Sequence, residues 1–81
     1  MKIGQIVFSK AGRDKDKPLS VISSDNSGVF VVDGKERPLE RPKLKNQKHI
    51  ELTGNCLSEK ELGSNKALRK ALSQIKANNE F

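Results

Sequence analysis

The chain has no tryptophan and no tyrosine, one cysteine, one histidine and three phenylalanines. Each shortage removes a class of function. A single thiol, Cys56, cannot close an intrachain disulfide, so the composition reads as that of a reducing compartment, and a cytoplasmic location is expected. Cys56 and His49 are too few for a zinc site, which takes roughly three or four protein ligands. With Phe8, Phe30 and Phe81 as the whole aromatic complement, there is no platform for stacking single-stranded bases. No apolar run approaches the roughly 20 residues of a membrane helix. The opening Lys2, Gly4 and Gln5 around a short apolar run do not read as a signal peptide, and no membrane association is expected.

Size restricts the options further. Eighty-one residues make one small domain, and only 33% of them are hydrophobic. Apolar burial set against chain entropy lands near zero for such a chain, so the fold is either tight or completed by a partner. An enclosed cleft of roughly 300–1,000 Å³, the size that holds a small organic ligand, is not expected beside such a core. Nor do the residues form a catalytic constellation. His49, at a strand start beside Lys48, reads as a surface or nucleic-acid contact. Cys56 lacks a basic partner and reads as a small buried hydrophobe. Asp14 and Asp16 alternate with Arg13, Lys15 and Lys17, a pattern for ion pairs within a loop rather than for acid–base work or a cation site. The expectation is a protein that is not an enzyme, with no catalytic residues, small-molecule substrate, metal or cofactor.

What the chain does have is positive charge, +6 overall and unevenly placed. Residues 1–50 hold eleven Lys and Arg against six Asp and Glu, whereas residues 51–81 hold five against four. Two polar segments carry most of the excess. The first, 10–18, contains Lys10, Arg13, Lys15 and Lys17 around Gly12 and has no large apolar side chain, so it must project between strands. The second, 41–48, contains Arg41, Lys43, Lys45 and Lys48 with no acid. Clustered cations of this kind suit a polyanion. Gly12 would let the backbone approach a phosphate or ribose closely. With no aromatic platform, the indicated ligand is structured RNA, read by shape and phosphate position. If about six cations meet phosphates, the log–log slope of affinity on salt should be roughly −4 to −5.

Apolar periodicity gives the frame. Short β-branched or aromatic runs at 4–8, 19–23 and 29–32, a charged run at 36–39 and an alternating run at 49–52 read as five strands. The run 29–32 is apolar throughout and is expected to be central and buried on both faces. The clusters 24–28 and 33–34 read as turns, and Pro18, Pro38 and Pro42 as strand limits. In the last third the period changes. Ser58 and Glu61 form a capping box over one helical turn, Gly63 stops it, and Ser64 can cap a helix to about residue 77. Leu68, Ala71, Leu72 and Ile75 then make one apolar stripe, with Lys66, Arg69, Lys70 and Lys76 off it. The expected fold is mainly β: a small SH3-like five-stranded barrel over 1–54, followed by a C-terminal α-helical extension over 55–81 packed on it.

Gly4, Ile6-Val7-Phe8, Lys10-Ala11-Gly12-Arg13-Asp14-Lys15, Lys17 and Val21-Ile22 together resemble the KOW motif. The continuation through Val29-Phe30-Val31-Val32-Asp33-Gly34-Lys35 and Arg37 resembles the L-fourteen-e class of ribosomal proteins and the small bacterial KOW-domain RNA-binding proteins related to it. The similarity covers residues 3–52. It implies an SH3-like barrel that binds RNA, typically ribosomal RNA, with the loop between its first two strands. Gly12 falls at the motif's glycine, and Lys10, Arg13, Lys15 and Lys17 are the implied contacts, with Lys35 and Arg37 in the extended basic run. Asp16 stands where many relatives have a second glycine. The expected partners are RNA and ribosomal proteins, with a monomer when free. The alternative is an SH3-like protein-interaction module of the transcription-elongation type, whose docking face would be the Leu68, Leu72 and Ile75 stripe.

Overall fold

In the computed structural model, which describes residues 3–10 and 17–77, the β-rich runs form one five-stranded antiparallel sheet and the last third forms one long helix. The strands are β1 (Gln5–Ser9), β2 (Pro18–Asp25), β3 (Gly28–Val32), β4 (Lys43–Lys45) and β5 (Ile50–Cys56), and the helix is α1 (Asn65–Ala77). The order across the sheet is β4-β3-β2-β1-β5. The central strand is therefore β2, not the more apolar β3. Its eight residues make it the longest strand and let it pair on both sides.

Strand β3 is nonetheless buried on both faces, and the alternation of its side chains shows how. Val29 and Val31 join Val7, Leu19, Val21 and Ile50 in one core on the inner face. Val32 points the other way and joins Ile6, Leu57, Leu68, Ala71 and Leu72 in a second core, between the sheet and α1. The sheet thus separates two apolar layers. The helix stripe is the lid of the second: Leu68 is fully buried, Ala71 and Leu72 nearly so, and Ile75 packs against them. That stripe is not available as a docking face.

The edge strands β4 and β5 follow one another in sequence. A flat sheet would hold them about 19 Å apart, four strand spacings of about 4.8 Å. Between them lie only residues 46–49, with Gln47–His49 in a 3-10 turn that advances about 2 Å per residue. So short a linker forces the sheet to curl. A bulge at Ile22, where Val21 and Ser23 face the consecutive Val31 and Phe30, bends the middle of the sheet in support. No ladder joins β4 to β5 among the described residues.

The expected strand at 36–39 does not form. Its backbone groups are committed elsewhere. Asp33 N and Gly34 N both donate to the Arg37 carbonyl, and the Asp33 carboxylate accepts from Lys35 N and Arg37 N. Leu39 N donates to the Asn65 side chain, and Arg41 N to the Pro38 carbonyl. With Pro38 and Pro42 also lacking donors, pairing with β3 begins only at Lys43. The fourth strand therefore lies inside the segment read as a polar loop. The fifth runs further than expected, to Cys56 opposite Gln5, which leaves the Cys56 side chain exposed rather than buried.

Both helix-start signals are satisfied. Ser58 N donates to Glu61 Oε1 while Glu61 N donates to Ser58 Oγ, the reciprocal pair of a capping box, although only turns follow there. Ser64 Oγ accepts from Ala67 N at the start of α1.

Candidate nucleic-acid interface

The first basic segment leaves the sheet at Lys10 and returns at Lys17. Gly12, Arg13 and Lys15, with Asp14 and Asp16, lie outside the described residues. Its two feet stand on adjacent antiparallel strands, because Phe8 pairs with Pro18. Each foot is surrounded by further cations, from different sources.

On one side the second basic segment closes against the end of β1. Lys10 N donates to the His49 carbonyl at 2.8 Å. The 46–49 turn that presents this carbonyl is held by Asn46, whose side chain accepts from Lys48 N. Lys45 lies opposite Val29, a member of the inner core, and its Nζ reaches Ser9 Oγ at 3.5 Å. Its side chain therefore shares the Val29 face, and its ammonium reaches across to the end of β1. Lys10, Lys45 and Lys48 gather here, with exposed His49 among them. Lys43 shares the Lys45 face of β4, two residues away, and is exposed, as is Arg41.

On the other side Lys17 meets the 33–37 turn, where its Nζ pairs with Glu36 Oε1 at 3.2 Å. Both side chains are about half exposed, so the pair holds position more than it stabilises. The turn packs on the first turn of α1 through Gly34. At φ +80°, a Cβ there would stand 2.5 Å from the Asn65 carbonyl oxygen, so only glycine permits the approach. That contact sets Lys35 beside Lys66, Arg69 and Lys70 on the helix. The result is an open cleft of about 570 Å³.

Lys35, Arg41, Lys43, Lys45 and Lys48 of the second segment and its approach thus keep surface positions, Lys45 in part. Arg37 differs. It is half-buried, its Nε is inaccessible to solvent, and its amide and carbonyl close the 33–37 turn. Its place is structural before it is anything else. The sequence reading missed Lys66, Arg69 and Lys70. Their i, i+3, i+4 spacing marks one helix face, but nothing in the sequence says that this face looks onto Lys35.

Among the described residues, no three His, Cys, Asp or Glu side chains gather as a metal ion would require. No helix of the described chain is long and apolar enough to cross a membrane. No protein-family model matches the chain, and a comparison with curated proteins finds no match.

Proposed function

We propose that the chain is a non-enzymatic, cytoplasmic RNA-binding protein that holds structured RNA, ribosomal RNA foremost, on the basic surface around residues 10–17. The supporting observation is the convergence at the end of β1, where Lys10, Lys45 and Lys48 come from two segments more than thirty residues apart and meet through the 2.8 Å Lys10–His49 bond. Arg13 and Lys15 add charge in the sequence of the first segment beside Lys17, and Lys43 and Arg41 are exposed on β4 and just before it. The resemblance to KOW-domain ribosomal proteins points to the same partner and the same segment. Phosphates are the chemistry such a surface accepts. The backbone at Lys10, Lys45 and Lys48 is fixed by the fold, so the spacing of phosphates in a folded RNA would select the ligand.

The reading is tested by binding to purified ribosomal RNA across a salt series, with Arg13→Ala and Lys48→Ala as probes. Each variant should weaken binding and flatten the salt slope by roughly 0.7–0.9. Unchanged slopes in both would remove this surface from the interface. The protein-interaction alternative has no comparable support, since the stripe it needs is buried under the sheet.

A further inference from the structure

Among the described residues, five cations line the cleft between the 33–37 turn and α1: Lys17, Lys35, Lys66, Arg69 and Lys70. They come from three separate parts of the chain. Folding therefore brings together like charges that the sequence keeps apart, at an electrostatic cost. The two carboxylates in the same wall offset this only partly. One oxygen of Asp33 is engaged with the amides of Lys35 and Arg37, inside the turn. Glu36 is engaged with Lys17. None of the five cations belongs to either apolar core.

The shape of the cleft narrows the ligand. Its volume of about 570 Å³ exceeds that of a single anion, and it is open to solvent. Pro18 and Leu72 supply the apolar part of its lining. Among the described residues no aromatic side chain lines it, so they offer nothing for a base to stack on. Cations from both the turn and the helix, with apolar side chains in the same lining, suit a sugar–phosphate backbone.

We propose that this cleft is a second RNA contact, a track for the phosphodiester backbone in which α1 supplies one wall through Lys66, Arg69 and Lys70. The inference rests on the RNA-binding reading above and extends the interface from the sheet onto the helix. Glu36 acts as a competitor within the track. It holds Lys17 when the cleft is empty and is displaced by phosphate when RNA enters. Removing its charge should therefore tighten binding.

The test is the salt dependence of binding to purified ribosomal RNA for five proteins: wild type, the triple variant Lys66→Gln/Arg69→Gln/Lys70→Gln, Arg69→Gln alone, Glu36→Gln, and Lys60→Gln. Lys60 is an exposed cation outside the cleft and controls for overall charge. The triple variant should bind roughly ten- to a hundredfold more weakly. Its slope should fall by about 2–3. Glu36→Gln should bind roughly two- to fivefold more tightly, and Lys60→Gln should match wild type. Unchanged circular dichroism and melting no lower than that of wild type would show that the triple variant is folded, as expected when exposed like charges are removed. If wild type binds in a salt-dependent way and the triple variant keeps its affinity and slope, the cleft is not a contact and the RNA-binding reading stands. A Lys60→Gln loss as large as that of Arg69→Gln alone would likewise remove the cleft. If wild type shows no salt-dependent binding, the RNA-binding reading falls and takes the cleft with it.

Discussion

The two flanks of the 11–16 segment are basic by different means. On the β4 side the charge is local in sequence: 41–48 carries four cations and no acid, and a capped turn folds it back onto Lys10. On the helix side the charge is assembled from residues 17, 35 and 66–70, partly offset by Asp33 and Glu36, and held by tertiary packing alone. The first kind of site survives as long as the sheet does. The second depends on α1 staying seated, and so on Leu68 and Gly34.

That contrast can be broken from the helix side first. Leu68 is fully buried between the sheet and α1. Leu68→Ala should cost about 2–5 kcal/mol, read by urea denaturation. The cost is a large share of the stability of a domain this size, and a loss below about 1 kcal/mol would mean that the helix is not seated as described. Gly34→Ala acts on the same seat by another route. A left-handed φ and a Cβ against the Asn65 carbonyl should cost about 1–3 kcal/mol. A neutral result there would show that the turn can leave the helix freely. Ser64→Ala removes the cap accepting from Ala67 N and should cost about 1 kcal/mol. The other flank should respond in the opposite manner. The double variant Lys10→Ala/Lys48→Ala changes two exposed side chains and should shift stability by no more than about 0.5 kcal/mol. Its salt slope for ribosomal RNA should nevertheless fall by about 1.4–1.8. Equal stability losses on both flanks would erase the distinction.

The same distinction explains how much was legible in the sequence. Elements specified by local signals come out close to expectation: β1 and β3 by their β-branched runs, α1 by Ser64 and its apolar stripe, the Ser58–Glu61 box by its spacing. Elements specified by competition between distant groups do not. The run 36–39 looked like a strand because its backbone partners, the Asp33 carboxylate and the Asn65 side chain, are not visible as such in the sequence. The apolar run of β3 suggested a central strand, but α1 supplies its second buried face and β2 takes the centre. Cys56 reads as core in the sequence, where nothing local signals its pairing with Gln5 on an edge strand. The basic surface follows the same rule. Lys10, Lys45 and Lys48 stand out as cations in charged segments, whereas Lys66, Arg69 and Lys70 look like the solvated face of an amphipathic helix until Gly34 brings the turn against it.

The basic surface is proposed to bind RNA through phosphates. The most direct measurement is the affinity of the intact chain for purified ribosomal RNA as a function of salt. A straight log–log plot with a slope of roughly −4 to −5, that of about six neutralised phosphates, is the predicted result. Binding that is absent, or that does not change with salt, would contradict it.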